Sequence, residues 1–375
     1  MKNIFFLLFS ILIFDTSNAQ YTLRLVVNAV SKDADDWYVA GNFNNWNPKD
    51  EAYKLKQFGA KRKAVVLQNI PAGIYQFKFT RGGWDKVETN AEGAQIENRE
   101  VVVNMDTIAY ARVAGWSDDY PNKPKPNTAS AQVKIIDTAF QIPQLNRTRR
   151  IWIYLPGGYA KSKKSYPVLY MHDGQNLFNE QTAPYGEWGI DEALDSIQPK
   201  TKKEAIVVGI DHGLDKRMTE YNPYDNARFG KGEGDKYVDF LVQTLKPYID
   251  KNYRTRKDSA NTFVAGSSMG GLISLYAVVK YPNVFGGAGV FSPAFWTAPA
   301  MYETVANTNF KSRPKLYFYM GGKEGDLMMP DMEKMIKIIE AKNTTHIRIL
   351  KAPLGKHNEP TWRQEFPGFY TWIIK

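Results

Sequence analysis

Residues 262–282 read TFVAGSSMGGLISLYAVVKYP. The opening "TFVAG" is a short apolar strand. "GLISLYAVVKYP" is a helix, because Leu272, Leu275, Tyr276 and Val279 recur at helical spacing and Pro282 closes it. The same alternation continues on both sides. "AQVKIIDTAF", "RRIWIYLP", "PVLYMHD", "AIVVGID", "GGAGVFS", "KLYFYMG" and "HIRILKAP" are further strand candidates. Helical stretches such as "GDKYVDFLVQTLKPYIDKNY" and "MPDMEKMIKIIEAKN" separate most of them. Near-continuous apolar strands alternating with amphipathic helices predict a mostly parallel sheet covered by helices on both faces, over residues 131–375.

Between that strand and that helix sits Gly266-Ser267-Ser268-Met269-Gly270, a G-x-S-x-G sequence. In a nucleophile elbow the central serine occupies a strained strand-to-helix turn, and glycines two positions either side let the two backbones approach. Only Ser268 has glycines at both flanks. With Ser267 at the centre the flanks would be Ala265 and Met269, and Met269 would collide with the strand. Ser268 is therefore the candidate nucleophile and Ser267 a small packing residue. A G-x-S-x-G alone also occurs in purely structural turns, so its partners decide the matter.

A serine nucleophile needs a base, and the chain has four histidines: His172, His212, His346 and His357. Chemistry in a parallel sheet collects beyond the carboxyl ends of the strands. His346 precedes the strand "IRILKAP" and His357 follows it. In the order nucleophile, acid, histidine only these two come after Ser268, so His357 is the expected base. The acid is sought after "KLYFYM", in "GGKEGDLMMPD", where Glu324, Asp326 and Asp331 compete. Glu324 is preferred because it lies immediately past the glycine turn. Asp326 remains the alternative, and Asp331 fits the start of the next helix. The oxyanion calls for backbone N–H donors, expected from Met269 and from Gln175 in "HDGQN". The other reading of "HDGQN" is an ordinary turn in which His172 and Asp173 cap or pair locally.

Residues 20–115 have a different texture. "YTLRLVV", "DWYVAGNF", "KAVVLQNI", "GIYQFKFT" and "REVVVN" are β-branched and aromatic, punctuated by Asn, Gly, Pro and Asp. They predict a small all-β sandwich. The polar, proline-bearing segment over 116–130, within "GWSDDYPNKPKPNTAS", predicts a linker. Residues 1–19 carry Lys2, an eleven-residue apolar run "IFFLLFSILIF", and small residues at Ser17 and Ala19. That describes a signal peptide cleaved after Ala19, too short to span a bilayer, and places the mature chain in the periplasm or outside the cell with no stable membrane insertion.

The absence of cysteine excludes disulfides, thiolate nucleophiles and Cys-ligated metals. The net charge of +10 survives removal of the first residues, since Lys2 and Asp15 cancel. No dense Lys/Arg block interleaves with aromatics, so a nucleic-acid partner is not expected.

"YPVLYMHDGQNLFN", "GSSMGGLISLYAVVKYPNVFGGAGVFSPAFW" and "GKHNEPTW" together resemble the putative esterase family of α/β-hydrolases, over about residues 131–375. That resemblance implies a serine esterase of the feruloyl, acetyl-xylan, enterochelin-type or acyltransferase kind. It maps a triad onto Ser268, Glu324 or Asp326, and His357, and implies no metal or organic cofactor. "VAGNFNNWNP" and "YQFKFTRGGWDK" resemble the immunoglobulin-like sandwich of glycogen-binding carbohydrate modules. There the resemblance implies a sugar site at Trp46, Lys78, Trp84 and Asn98. The competing reading buries Trp46 and Trp84 as sandwich residues. The expected substrate is an ester on polysaccharide. The rivals are a siderophore trilactone esterase, an acyltransferase, and a non-catalytic carbohydrate-binding protein on a dead hydrolase fold.

Overall fold

The computed structural model describes residues 20–120, 125–310, 313–325, 328–342 and 345–374. The expected signal peptide and Asp326 lie outside the described residues. The chain divides into two compact units between Lys123 and Pro124.

The first unit is all β. Its strands are β1 (Gln20–Ala29), β2 (Tyr38–Gly41), β3 (Lys56–Gln57), β4 (Lys63–Pro71), β5 (Gly73–Thr80), β6 (Glu88–Thr89), β7 (Arg99–Val103), β8 (Thr107–Val113) and β9 (Gly115–Trp116). One sheet runs β3-β4-β1-β8, a second β2-β5-β7, and β6 pairs with β9. Alternation along β1 sends Leu23, Leu25 and Val27 inward. There they line up with Val65 and Leu67 of neighbouring β4 and meet Val39, Phe77 and Phe79 from the second sheet. The sandwich runs past residue 115, where the sequence reading ended it. Trp116 is fully buried against Trp37 at 5.7 Å between ring centroids, and its indole N–H donates to the Ser31 carbonyl. Burial of one large ring outweighs the polar composition around it, which is the reason for the correction.

The second unit carries β10 (Val133–Ile142), β11 (Arg147–Tyr154), β12 (Val168–His172), β13 (Ile206–Ile210), β14 (Thr262–Ser267), β15 (Gly287–Phe291), β16 (Lys315–Gly321) and β17 (His346–Ala352). They form one sheet in the order β10-β11-β13-β12-β14-β15-β16-β17. β10 and β11 are antiparallel, and from β13 onward all pairs are parallel. The helices are α1 (Ile190–Thr201), α2 (Arg217–Glu220), α3 (Gly234–Phe240), α4 (Lys246–Asn252), α5 (Met269–Lys280), α6 (Ala300–Asn307), α7 (Met328–Glu340) and α8 (Glu359–Ile373). Successive residues of each strand feed opposite cores. Val264 joins α5 and its neighbours on one face, whereas Phe263 and Ala265 join α1 and α8 on the other. The start of this unit is also tied down. The Thr128 hydroxyl donates to Glu187 and the Ser130 N–H to buried Asp191. Residues 128–130 of the expected linker are therefore part of the hydrolase unit.

Candidate active site

The elbow predicted around Ser268 is present. Ser268 joins β14 to α5 with φ 58° and ψ −119°, a conformation that side chains avoid and that the surroundings must impose. The glycines make it possible. A Cβ on Gly266 would lie 3.0 Å from the Gly270 Cα, so strand and helix could not cross this closely with alanine there. Ser267 is buried inside the strand end, whereas Ser268 is partly exposed. The Ser268 N–H donates to the Phe291 carbonyl at 2.9 Å, and its own carbonyl accepts from Ala294 and Leu272. The strained turn is thus held from both sides.

His357 follows β17 and Glu324 follows β16, at the same edge of the sheet as Ser268. The two form a pair: His357 Nδ1 lies 2.9 Å from Glu324 Oε2. The Glu324 side chain is fully buried and the imidazole about one-third exposed. A carboxylate only accepts, so the proton of neutral His357 sits on Nδ1 and Nε2 is left as a base. The other Glu324 oxygen accepts from the Ser292 hydroxyl and the Gly321 N–H, both at 2.7 Å. Asp331 lies in the first turn of α7, as its position after the strand implied. His346 starts β17, opposite Lys315 at the start of β16, and so occupies the amino edge of the sheet.

The "HDGQN" stretch leaves the carboxyl end of β12, at the same edge of the sheet. Asp173 is left-handed at φ 57°, and Gly174-Gln175-Asn176 make a single tight turn. Gly174 is required there, because a Cβ would lie 2.8 Å from the Ile210 backbone. The turn rests on the start of α5, where a Cβ on Gly270 would meet Asp173 Oδ2 at 3.4 Å. Gln175 is clamped. Its side-chain oxygen accepts from the His212 N–H and its carbonyl from the Thr182 hydroxyl. Met269 opens α5, where N–H groups lack intrahelical acceptors. Asp173 pairs with Arg217, 44 positions on, through two bonds of 2.7 and 2.9 Å, instead of pairing locally. His172 is wholly buried, bonded to the Tyr237 hydroxyl, and burial pushes it down to about 4. His212 is lowered too, by burial, and its Nδ1 accepts from the Leu214 N–H. Among the described residues no three His, Asp or Glu side chains converge as a metal ion would require.

Four residues at the candidate site escaped the sequence reading. Ser292 and Trp362 were visible only as letters in "FSPAFW" and "GKHNEPTW". Arg217 gave no signal at all. Glu359, two residues past His357, is held up at about 7 by burial, and its carboxylate accepts from the Asn176 amide.

In the sandwich, Trp46 and Trp84 come together at 6.4 Å between centroids with planes at 38°. Trp84 is 46% exposed and Trp46 half-buried. Asn98 is exposed. Lys78 is buried, which lowers its pKa, and its ammonium donates to the Ile96 carbonyl. It is therefore already engaged, unlike the exposed ring of Trp84.

A strained serine at a strand-to-helix elbow, with an acid–histidine pair at the same edge of a mostly parallel sheet, defines an α/β-hydrolase. Residues 142–372 match the family described as Putative esterase, and the chain belongs to that family. It is 29% identical over 198 residues to the Bacillus subtilis protein YbbA, covering 50% of this chain and 74% of that one. It is 32% identical over 145 residues to an endo-1,4-beta-xylanase/feruloyl esterase of Xylanibacter ruminicola, covering 37% of this chain and 19% of that one. Among solved structures, the enterobactin esterase FES of Shigella flexneri aligns with a TM-score of 0.54 at 17% identity, over 90% of this chain and 87% of that one. That last likeness concerns the fold. Among the described residues no helix is long and apolar enough to cross a membrane.

Proposed function

We propose that this esterase is an exported serine carboxylic-ester hydrolase that works through an acyl-enzyme, on acyl or feruloyl esters of polysaccharide. The observation that carries the reading is the Glu324–His357 hydrogen bond at the sheet edge that also bears the strained Ser268 elbow. In this mechanism His357 Nε2 takes the Ser268 proton as Oγ attacks the ester carbonyl. Glu324 keeps the imidazole in its productive tautomer and stabilises the imidazolium. The Met269 and Gln175 N–H groups receive the oxyanion, each donor contributing about 3–4 kcal/mol to the barrier reduction. His357 then protonates the leaving alcohol, and water, deprotonated by the same imidazole, releases the acid. The apolar run at residues 4–14 supports export, and the xylanase/feruloyl esterase relative supports the substrate class. Rates on feruloylated, acetylated and trilactone esters test that class. Preference for the trilactone would replace it with a siderophore substrate.

The strand-end argument gives a direct check. His357→Ala should lose turnover by roughly 10³-fold or more, because the base acts as one unit with the serine. His346→Ala, at the opposite edge of the sheet, should stay within about twofold of the parent. Comparable losses in both, with both folded by circular dichroism, would remove the ground for choosing His357.

We further propose that Trp46 and Trp84 form a platform for a sugar face, because large rigid rings suit sugar C–H surfaces. Tethering gives an effective concentration of order millimolar, so a weak sugar site should raise activity on polymer roughly tenfold. The double change Trp46→Ala, Trp84→Ala is expected to remove that gain and leave a small soluble ester unaffected. Equal activity on polymer before and after the change would refute the platform.

A further inference from the structure

We propose that Ser292 is a positioning residue for the acid–base pair: aimed by Trp362, its hydroxyl locks Glu324 so that Oε2 stays on His357. The proposal rests on the reading of Glu324 and His357 given above. Ser292 follows β15, is wholly buried, and has φ 44°, a backbone conformation that serine seldom adopts. Its N–H donates to the Tyr319 carbonyl at 2.8 Å. The Trp362 indole N–H donates to its hydroxyl oxygen at 2.9 Å, and that hydroxyl lies 2.7 Å from Glu324 Oε1.

The direction of this chain follows from the groups themselves. An indole N–H can only donate and a carboxylate can only accept. The hydroxyl must therefore accept from Trp362 and give its single proton to Glu324. With the Gly321 N–H, Oε1 then holds two donors while Oε2 holds His357. Rotation of the carboxylate breaks at least one of these bonds, and the Glu324 side chain is fully buried, so solvent is not at hand to replace it. Trp362 meets the other member of the pair as well. Its ring stands edge-on to His357 at 5.1 Å and 82°.

The same short segment grips the nucleophile. Phe291 accepts from the Ser268 N–H, and Ala294 donates to the Ser268 carbonyl. Residues 291–294 thus connect the elbow, the acid and, through Trp362, the base. A buried serine that served only to satisfy the Trp362 indole would not need to point at the carboxylate, nor to sit one residue from the elbow's own acceptor.

The test is a double-mutant cycle on a small soluble ester. Ser292→Ala is expected to lower kcat roughly 10–100-fold with KM within about twofold, as loss of transition-state positioning does. In a Glu324→Gln background the same change should cost less than about threefold, because Ser292 acts through the charge that is already gone. Trp362→Phe keeps the ring, removes the donor, and should reproduce a smaller share of the kcat loss. Ser292→Gly tolerates the positive φ and serves if the alanine variant does not fold. Wild-type kcat in the Ser292 variant that folds, or the same fold-loss with and without Glu324, would overturn the proposal. Failure of the underlying mechanism would look different: undiminished turnover by Ser268→Ala.

Discussion

Ser268→Ala is expected to lower kcat on a soluble aryl ester by on the order of 10⁴ or more, since nucleophile, base and acid act as a unit and removing one leaves only binding and the oxyanion donors. Alanine has no atom to form the acyl-enzyme. KM should change little, because Oγ is spent on covalent chemistry, not on holding the substrate. Folding should not suffer: α5 is packed by Met269, Leu272, Ile273 and Leu275, none of which the change touches. The neighbouring hydroxyl provides the control. Ser267 is buried in the strand end, and Ser267→Ala should keep activity within about threefold, as a small change at a packed site does. If Ser267→Ala is the inactive variant instead, the register of the elbow is wrong, even though the glycine contacts favour Ser268.

Glu324→Gln should be the second largest effect, roughly 10²–10⁴ in kcat. The amide keeps the shape and can still accept from Ser292 and Gly321, so the protein should remain folded. It carries no charge to stabilise the imidazolium as Ser268 gives up its proton. It can also present an N–H to His357 Nδ1, which would select the tautomer that leaves Nε2 protonated and useless as a base. Both effects fall on kcat. Asp326→Asn, at the other carboxylate weighed for the role, should stay within about threefold of the parent. A larger loss at Asp326 than at Glu324 reassigns the acid and leaves the serine mechanism standing.

How much of this was legible in the sequence depends on whether local pattern or distant contact decides a residue. The elbow was legible because its requirement is local: Gly266 and Gly270 must be small within five residues of chain. The strands of the hydrolase sheet were legible for the same reason, as apolar runs bounded by turns. His357 was reached by asking which end of the last strand it occupied. The acid was not resolved, because Glu324 and Asp326 stand two residues apart and both suit the chemistry. What favours Glu324 is the Gly321 N–H and a serine 32 positions upstream, neither of which has a sequence pattern. Trp116 misled for the opposite reason: its neighbours are polar, and only the tertiary packing with Trp37 shows that it belongs to the sandwich core. Lys78 read as a basic residue for a sugar face, yet its ammonium is satisfied by Ile96, a contact set by loop geometry. The alternative weighed for "HDGQN", with Asp173 capping or pairing locally, gives way to a pair with Arg217 across 44 residues.

The central claim is that Ser268 is an activated nucleophile, and covalent trapping tests it most directly. A fluorophosphonate reacts only with a serine whose proton a nearby base removes and whose developing oxyanion is stabilised. Intact-mass measurement after exposure of the folded protein should show a single adduct. Peptide mapping should place it on the fragment containing Ser268, at Ser268 itself, and the adduct should vanish in Ser268→Ala and slow markedly in His357→Ala. An unlabelled parent protein, or an adduct carried by Ser267 or any other residue, would contradict the account.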